Sequence, residues 1–170
     1  PPAPPPRPAH TPTLPRTPPQ RRSSTGAHPP ALKPTKARPR APEDNVRLGA
    51  PETQVLLPRL KSDLFEILLA AAEGHLDRVP DLEVDDRACV GVVMSSAGYP
   101  GAYQGGKPIA GLDAADALDD VAVYHAGTRR TDDGYVTAGG RVLCVTALGA
   151  GIAEARDRAY AGVDCIAFDG

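Results

Sequence analysis

Ala88-Cys89-Val90-Gly91-Val92-Val93-Met94 is an unbroken apolar run, and its reading decides the fold. It is too short for a buried helix and rich in β-branched residues, so it reads as a strand buried on both faces. Upstream, Leu64, Ile67, Leu68, Ala71 and Ala72 recur at helical spacing. Ser62 offers an N-cap for that helix, Gly74 a C-terminal stop, and Glu66 and Glu73 mark its wetter side. A shorter helical turn is expected over Glu52–Leu57, closed by Pro58. Downstream, Val121–His125 alternates as a strand should. Tyr135–Ala138 and Arg141–Thr146 flank Gly139-Gly140, which reads as a two-residue hairpin turn. Ile152, Ala155, Ala159, Val163 and Ile166 line one face of a last helix whose other face carries Glu154, Arg156 and Asp157. A glycine-rich excursion, Gly98–Gly111, separates the first strand from the rest. Mixed strands and helices of this size predict a small α+β domain.

The composition breaks sharply upstream of this domain. Residues 1–42 hold 15 of the 20 prolines and eight of the 19 basic residues, with no acid and no Phe, Tyr or Trp. The remaining residues carry all 21 acids against 11 basic residues, a formal charge of −10 that the basic segment masks in the total of −2. A segment so poor in apolar side chains is expected to stay disordered with polyproline II character. Its Arg21-Arg22 pair and spread lysines could meet phosphates, yet it has no aromatic side chain to stack on bases, so no nucleic-acid partner is expected. A non-catalytic module with a basic proline-rich tail for a protein or nucleic-acid partner is the alternative of a different class. The chain opens on Pro rather than Met, and its folded part uses nine Arg to two Lys. That bias suggests GC-rich coding DNA, and residues 1–42 are expected to be an out-of-frame translation rather than a functional tail.

No apolar run approaches the roughly 20 residues of a bilayer-crossing helix, and no signal-peptide pattern opens the chain. The three cysteines, Cys89, Cys144 and Cys165, form no Cys-x-x-Cys pair. They are expected to be packed thiols in a reducing, cytoplasmic compartment. His125 stands at a strand end before Ala126-Gly127-Thr128, where it can face a cleft or cap the turn. The Gly98–Lys107 stretch lacks the strand–loop–helix context of a phosphate loop. Asp85-Asp86, Asp119-Asp120 and Asp132-Asp133 read as solvated loop pairs.

One constellation suggests chemistry. Glu43, Asn45 and Arg47 alternate along an extended segment, which turns all three side chains to one face. A carboxylate and an amide oxygen suit a hard divalent cation, and a guanidinium suits phosphate.

The same stretch carries a resemblance. Asn45-Val46-Arg47-Leu48-Gly49-Ala50-Pro51-Glu52-Thr53-Gln54, followed by Val55–Leu60, is similar to the segment that closes the ATP-grasp domain of the phosphoribosylamine–glycine ligase (glycinamide ribonucleotide synthetase) family. Gly98-Tyr99-Pro100, His125-Ala126-Gly127-Thr128, Gly139–Gly149 and Glu154–Tyr160 resemble that family's C-terminal domain in the same order. The resemblance runs from about residue 43 to 170. It implies that 43–60 is the last ATP-grasp segment. It also implies that 61–170 is the C-terminal domain, a rudimentary single-hybrid, barrel-sandwich fold stopping short of the family's end. The implied reaction is ATP-dependent carbon–nitrogen ligation of glycine to 5-phosphoribosylamine in de novo purine biosynthesis. An acyl phosphate forms on the way, with Mg2+ or Mn2+ neutralising the polyphosphate. The family's metal ligands fall on Glu43 and Asn45, and a phosphate-facing role falls on Arg47. No catalytic residue is implied. Asp44, Leu48 and Ala50 depart from the family's pattern, and Ala50 removes a side chain that could cap the following turn. The ATP-grasp core lies upstream in the family, so the chain is expected to be inactive alone.

Overall fold

The structure is a computed structural model that describes residues 47–170, together with the backbone of Pro30–Lys33 and Arg40–Asp44. Those two stretches form strands β1 (Pro30–Lys33) and β2 (Arg40–Asp44), paired antiparallel with Pro30 opposite Asp44. Both fall at the end of the proline-rich segment. Polyproline II and β backbones share the same extended region, and a two-stranded ribbon tolerates the missing N–H of Pro42. The rest of the expected tail, and Asn45, lie outside the described residues.

Three antiparallel strands build the core sheet in the order β3-β8-β5, from β3 (Ala88–Ser95), β8 (Arg141–Gly149) and β5 (Val121–His125). The strand buried along its length is β8: Val142, Leu143 and Val145 are fully buried. Each such side chain contributes about 1.5–3 kcal/mol relative to an exposed one. The apolar run that becomes β3 is only half-buried, because it lies at the sheet edge while β8 occupies the centre.

Helix α4 (Ile152–Cys165) covers one face of this sheet. Its contact face is Ala155, Ala159 and Gly162, spaced i, i+4, i+7, while Ile152 is 75% exposed. Small residues let the helix lie close: a Cβ at Gly162 would come 2.8 Å from Val145 Cγ1. The short helix α1 (Glu52–Leu56) packs on the opposite face, with Val55 against Gly91 and Cys144 and Thr146 beside it. It runs on into a 3-10 turn, Leu57–Arg59, with Pro58 in its first positions rather than as its end. Proline fits there because the first-turn N–H has no helical partner.

Helix α2 (Leu64–Glu73) is capped by Asp63, not by Ser62: the Asp63 carboxylate accepts from the N–H groups of Phe65 and Glu66. Ser62 Oγ instead accepts the Glu83 N–H at 2.8 Å, where Lys61 and Asp85 donate their N–H groups to the backbone across the same ribbon. Gly74 closes α2 in the left-handed conformation expected of it, φ 77°. Phe65 and Leu68 stand exposed at 68% and 55%.

A second three-stranded sheet, β4-β7-β6, joins β4 (Pro108–Ile109), β7 (Gly134–Thr137) and β6 (Thr128–Thr131). The expected hairpin across Gly139-Gly140 is therefore corrected, since β7 and β8 lie in different sheets. The chain changes sheets at these glycines, and the true two-residue hairpin turn is Asp132-Asp133 between β6 and β7. Helix α3 (Leu112–Asp116), through Ala115, and Ile166 close the core beside Ile109. The architecture is the mixed α+β arrangement expected, with two three-stranded antiparallel sheets besides the β1-β2 pair.

Charged residues tie the core's edge together. Arg87, at the foot of β3, bonds Asp85 and Asp120, and Arg158 on α4 bonds Asp120 and Glu154. Asp85 and Asp120 are thus ion-paired rather than freely solvated. Hydrogen bonds from Arg87 hold the Asp85 carboxyl down at about 2 and draw the Asp120 carboxyl below its ordinary range as well.

Candidate functional site

The junction between β2 and α1 folds back on itself at Gly49. Glu52 Oε1 accepts the Gly49 N–H at 2.6 Å, and the Thr53 N–H donates to the Gly49 carbonyl at 2.9 Å, joined there by the Thr53 hydroxyl. A Cβ at Gly49 would lie 3.0 Å from the Glu52 carboxylate. No side chain among the described residues caps α1, and the carboxylate of Glu52 instead braces the preceding turn through the Gly49 N–H. Arg141, the first residue of β8, fastens the turn to the core by donating from Nη1 to the Ala50 carbonyl at 2.8 Å.

Where α1 meets the sheet, a cavity of about 360 Å³ remains between Pro51, Gln54, Val93, Tyr99, Leu143 and Arg141. Tyr99 lines one side of it. The loop after β3 is held over the sheet crossing by Ser96, whose N–H and hydroxyl donate to the carbonyls of Gly140 and Gly139 at 2.8 and 2.9 Å. A Cβ at Gly140 would come within 2.1 Å of the Tyr99 ring, so this ring can rest there only on a glycine. Gln54 Oε1 is buried and has no hydrogen-bond partner among the described residues. A buried acceptor left unpaired costs about 1–3 kcal/mol.

The sequence-derived residues are placed less fully. Glu43 sits in β2 opposite Ala31, with its side chain outside the described residues, as is Asn45. Arg47 is exposed, and its one hydrogen bond among the described residues is a long 3.4 Å contact to the Leu48 carbonyl. No group of three or more His, Cys, Asp or Glu side chains that could hold a metal occurs among the described residues. His125 braces the passage from β5 to β6: Nδ1 lies 2.9 Å from Thr128 Oγ1, and its ring centroid is 4.4 Å from that of Tyr135. Burial pushes the Cys89 and Cys144 thiols up, as it does the Tyr124 hydroxyl, so neither thiol is primed as a nucleophile. Gln54 and Arg141 carry no functional signal of their own in the sequence. The signal available was a charged residue opening an otherwise apolar strand, and it did not distinguish a cavity wall from a strand end.

A second cavity of about 360 Å³ lies at Ser96, Tyr103, Gln104, Lys107 and Asp169, and its Lys107–Asp169 ion pair at 3.1 Å occupies both charges. No helix among the described residues is long and apolar enough to cross a membrane.

Comparison with known proteins places these features in context. Residues 89–170 match the family model described as "Phosphoribosylglycinamide synthetase, C domain". The phosphoribosylamine–glycine ligase of Chlorobaculum tepidum is 55% identical over 128 residues, 75% of this chain and 30% of that protein. The corresponding ligase of Escherichia coli O157:H7 is 52% identical over 132 residues, 77% of this chain and 30% of that protein. The crystal structure of the Thermotoga maritima phosphoribosylamine–glycine ligase superposes with a TM-score of 0.69 at 30% identity, covering 83% of this chain and 34% of that one. The chain thus spans about 30% of the length of the curated relatives it matches.

Proposed function

We propose that this chain, whose residues 89–170 belong to the phosphoribosylglycinamide synthetase C-domain family, supplies the C-terminal domain of a phosphoribosylamine–glycine ligase. Such a ligase joins glycine to 5-phosphoribosylamine with ATP as co-substrate, the step of purine biosynthesis that yields glycinamide ribonucleotide. The observation that carries this reading is identity of 52–55% to ligases over a stretch covering both the junction and the core. Within it, residues 43–60 are the end of the ATP-grasp domain and 61–170 the C-terminal domain. The two small sheets packed across Gly127 and Gly139 are the counterpart of the barrel-sandwich form.

The site residues follow from the junction. Glu43 and Asn45 offer a carboxylate and an amide oxygen, the donor set that suits Mg2+ or Mn2+. Such a cation neutralises polyphosphate charge when bound. Arg47, exposed and with a single long hydrogen bond among the described residues, is placed to meet a phosphate. The contribution of residues 47–170 is positional: Glu52, Thr53 and Arg141 fix the turn that follows this triad onto the β-core. Substrates are small molecules, and the compartment is the cytoplasm.

The 170 residues include no counterpart of the phosphate-gripping lysine or adenine pocket that the resemblance places upstream. The purified chain is therefore expected to show no glycine-dependent ADP formation in a coupled assay with phosphoribosylamine and ATP. Turnover above background would contradict the domain reading.

A further inference from the structure

We propose that the exposed apolar stripe of α2 is the surface on which the upstream portion of a ligase chain seats, so that this helix is held by that portion rather than by the β-core. Of the ten residues of α2 only Glu66 and Glu73 are charged, and the others are apolar. A helix apolar on every side is ordinarily a buried helix, yet no residue of α2 is buried. Leu64, Ile67 and Ala71 are half-buried, whereas Phe65, Leu68, Leu69 and Ala72 form an exposed stripe at i, i+3, i+4 and i+7. Leu76, Leu82 and Val84, on the way back to the sheet, are exposed as well. Apolar surface gathered in this way marks a contact surface.

The β-core does not provide the cover. Residues 63–82 leave it on a neck of two chain segments bridged at Leu60 and Val84. There the Lys61 N–H donates to the Glu83 carbonyl at 2.9 Å and the Asp85 N–H to the Arg59 carbonyl at 2.6 Å. The principal packing partner of α2 is the 3-10 turn Leu76–Arg78 of the same excursion. A groove of about 350 Å³ stays open beside them, lined by Leu69, Ala70, Val79 and Pro80. A second copy of this chain is a poor cover. A ten-residue helix is about 15 Å long, too short to supply the roughly 800 Å² per partner that a stable dimer buries. The relatives indicate a better occupant. The C-domain match begins at residue 89, beyond the excursion. Any 128-residue span of a 170-residue chain includes residues 63–82, so the likeness to the Chlorobaculum tepidum ligase takes in the excursion as well. That likeness covers 30% of the ligase, and the rest of its length is available to cover α2.

The identity of the occupant rests on the ligase reading; the exposure of the helix does not. The upstream portion of the Chlorobaculum tepidum ligase, fused to residues 43–170, is compared with the full 170-residue chain by amide hydrogen exchange. The amides of Leu64–Glu73 are expected to exchange at least about a hundredfold more slowly in the fusion. Leu68→Asp should lower the melting temperature of the fusion and shift that of the 170-residue chain by less than about 4 °C. A second variant tests the chain alone. Replacing residues 63–82 with Asn-Gly, a two-residue turn across the neck, should leave the β-core folded and unfolding cooperatively. Equal exchange of α2 in fusion and chain, or a β-core that is lost without residues 63–82, overturns the proposal. So does a dimer of the 170-residue chain, seen by sedimentation, that protects α2 and that Leu68→Asp dissociates, because a second copy is then the occupant. Turnover is read separately. Protected α2 in a folded but inactive fusion keeps the docking surface and rejects the ligase reading; unprotected α2 in an active fusion does the reverse.

Discussion

Arg87 and its two aspartates show how far single side chains settle the edge of this core. Asp85 and Asp120 read in the sequence as solvated loop acids; Arg87 stands two residues beyond Asp85, but nothing local announces that it and Arg158 also meet Asp120. Their consequence is a pH dependence of definite sign. Both carboxyls are drawn below the ordinary unfolded value of about 3.9, chiefly by hydrogen bonds from Arg87, Asp85 to about 2. A depressed folded pKa gives stability that is complete above the unfolded pKa and lost as pH falls through the folded one. The melting temperature should hold near pH 5 and fall between about pH 4 and 2, and Asp85→Asn should flatten that fall. An Asp85→Asn variant with the wild-type acid limb would remove these pairs from the account. Gln54 and Arg141 were equally invisible beforehand, for a related reason. A cavity wall exists only once α1 has landed on β3 and β8, whereas the alternation of Glu43, Asn45 and Arg47 can be read from the chain itself.

Elements were legible where the local signal and the tertiary environment agree. Val121–His125 was read with its observed bounds, and the apolar run at Ala88–Met94 lies within β3, because strand patterning is written into each segment. Pairing is a different matter. Gly139-Gly140 has the composition of a tight hairpin turn, yet the chain there passes from one sheet to the other. The partners of β8 are β3 and β5, strands about 50 and 20 residues upstream that no local rule names. The last helix forms where its periodicity predicts, with its buried face rotated from the expected one. Large Ile152 advertises a core face, while Ala155, Ala159 and Gly162 make the contact because they are small. Helix α2 began one residue later than expected, since two adjacent polar residues could each cap it. Asp63→Ala should therefore destabilise the fold by about 1 kcal/mol through loss of the cap, measured by urea unfolding. If Ser62→Ala costs more and Asp63→Ala nothing, the assignment of the cap is wrong.

At the scale of the molecule, the pieces converge on one use. Junction turn, β-core and covering helix form a platform with Arg47 exposed beside the turn and a cavity between α1 and the sheet. The relatives place such a platform in about 30% of a ligase chain. Family and general architecture could be read from ordered motifs. The cavity could not, nor could the swap of strands between sheets, because both depend on contacts distant in sequence. The most direct measurement joins the two parts. The upstream portion of the Chlorobaculum tepidum ligase is fused to residues 43–170 of this chain and assayed for ADP formation requiring both glycine and phosphoribosylamine. The expected result is turnover within about tenfold of the parent ligase, a difference of about 1.4 kcal/mol in transition-state stabilisation. A chimera that folds cooperatively, binds ATP and yet turns over only at background would contradict the account.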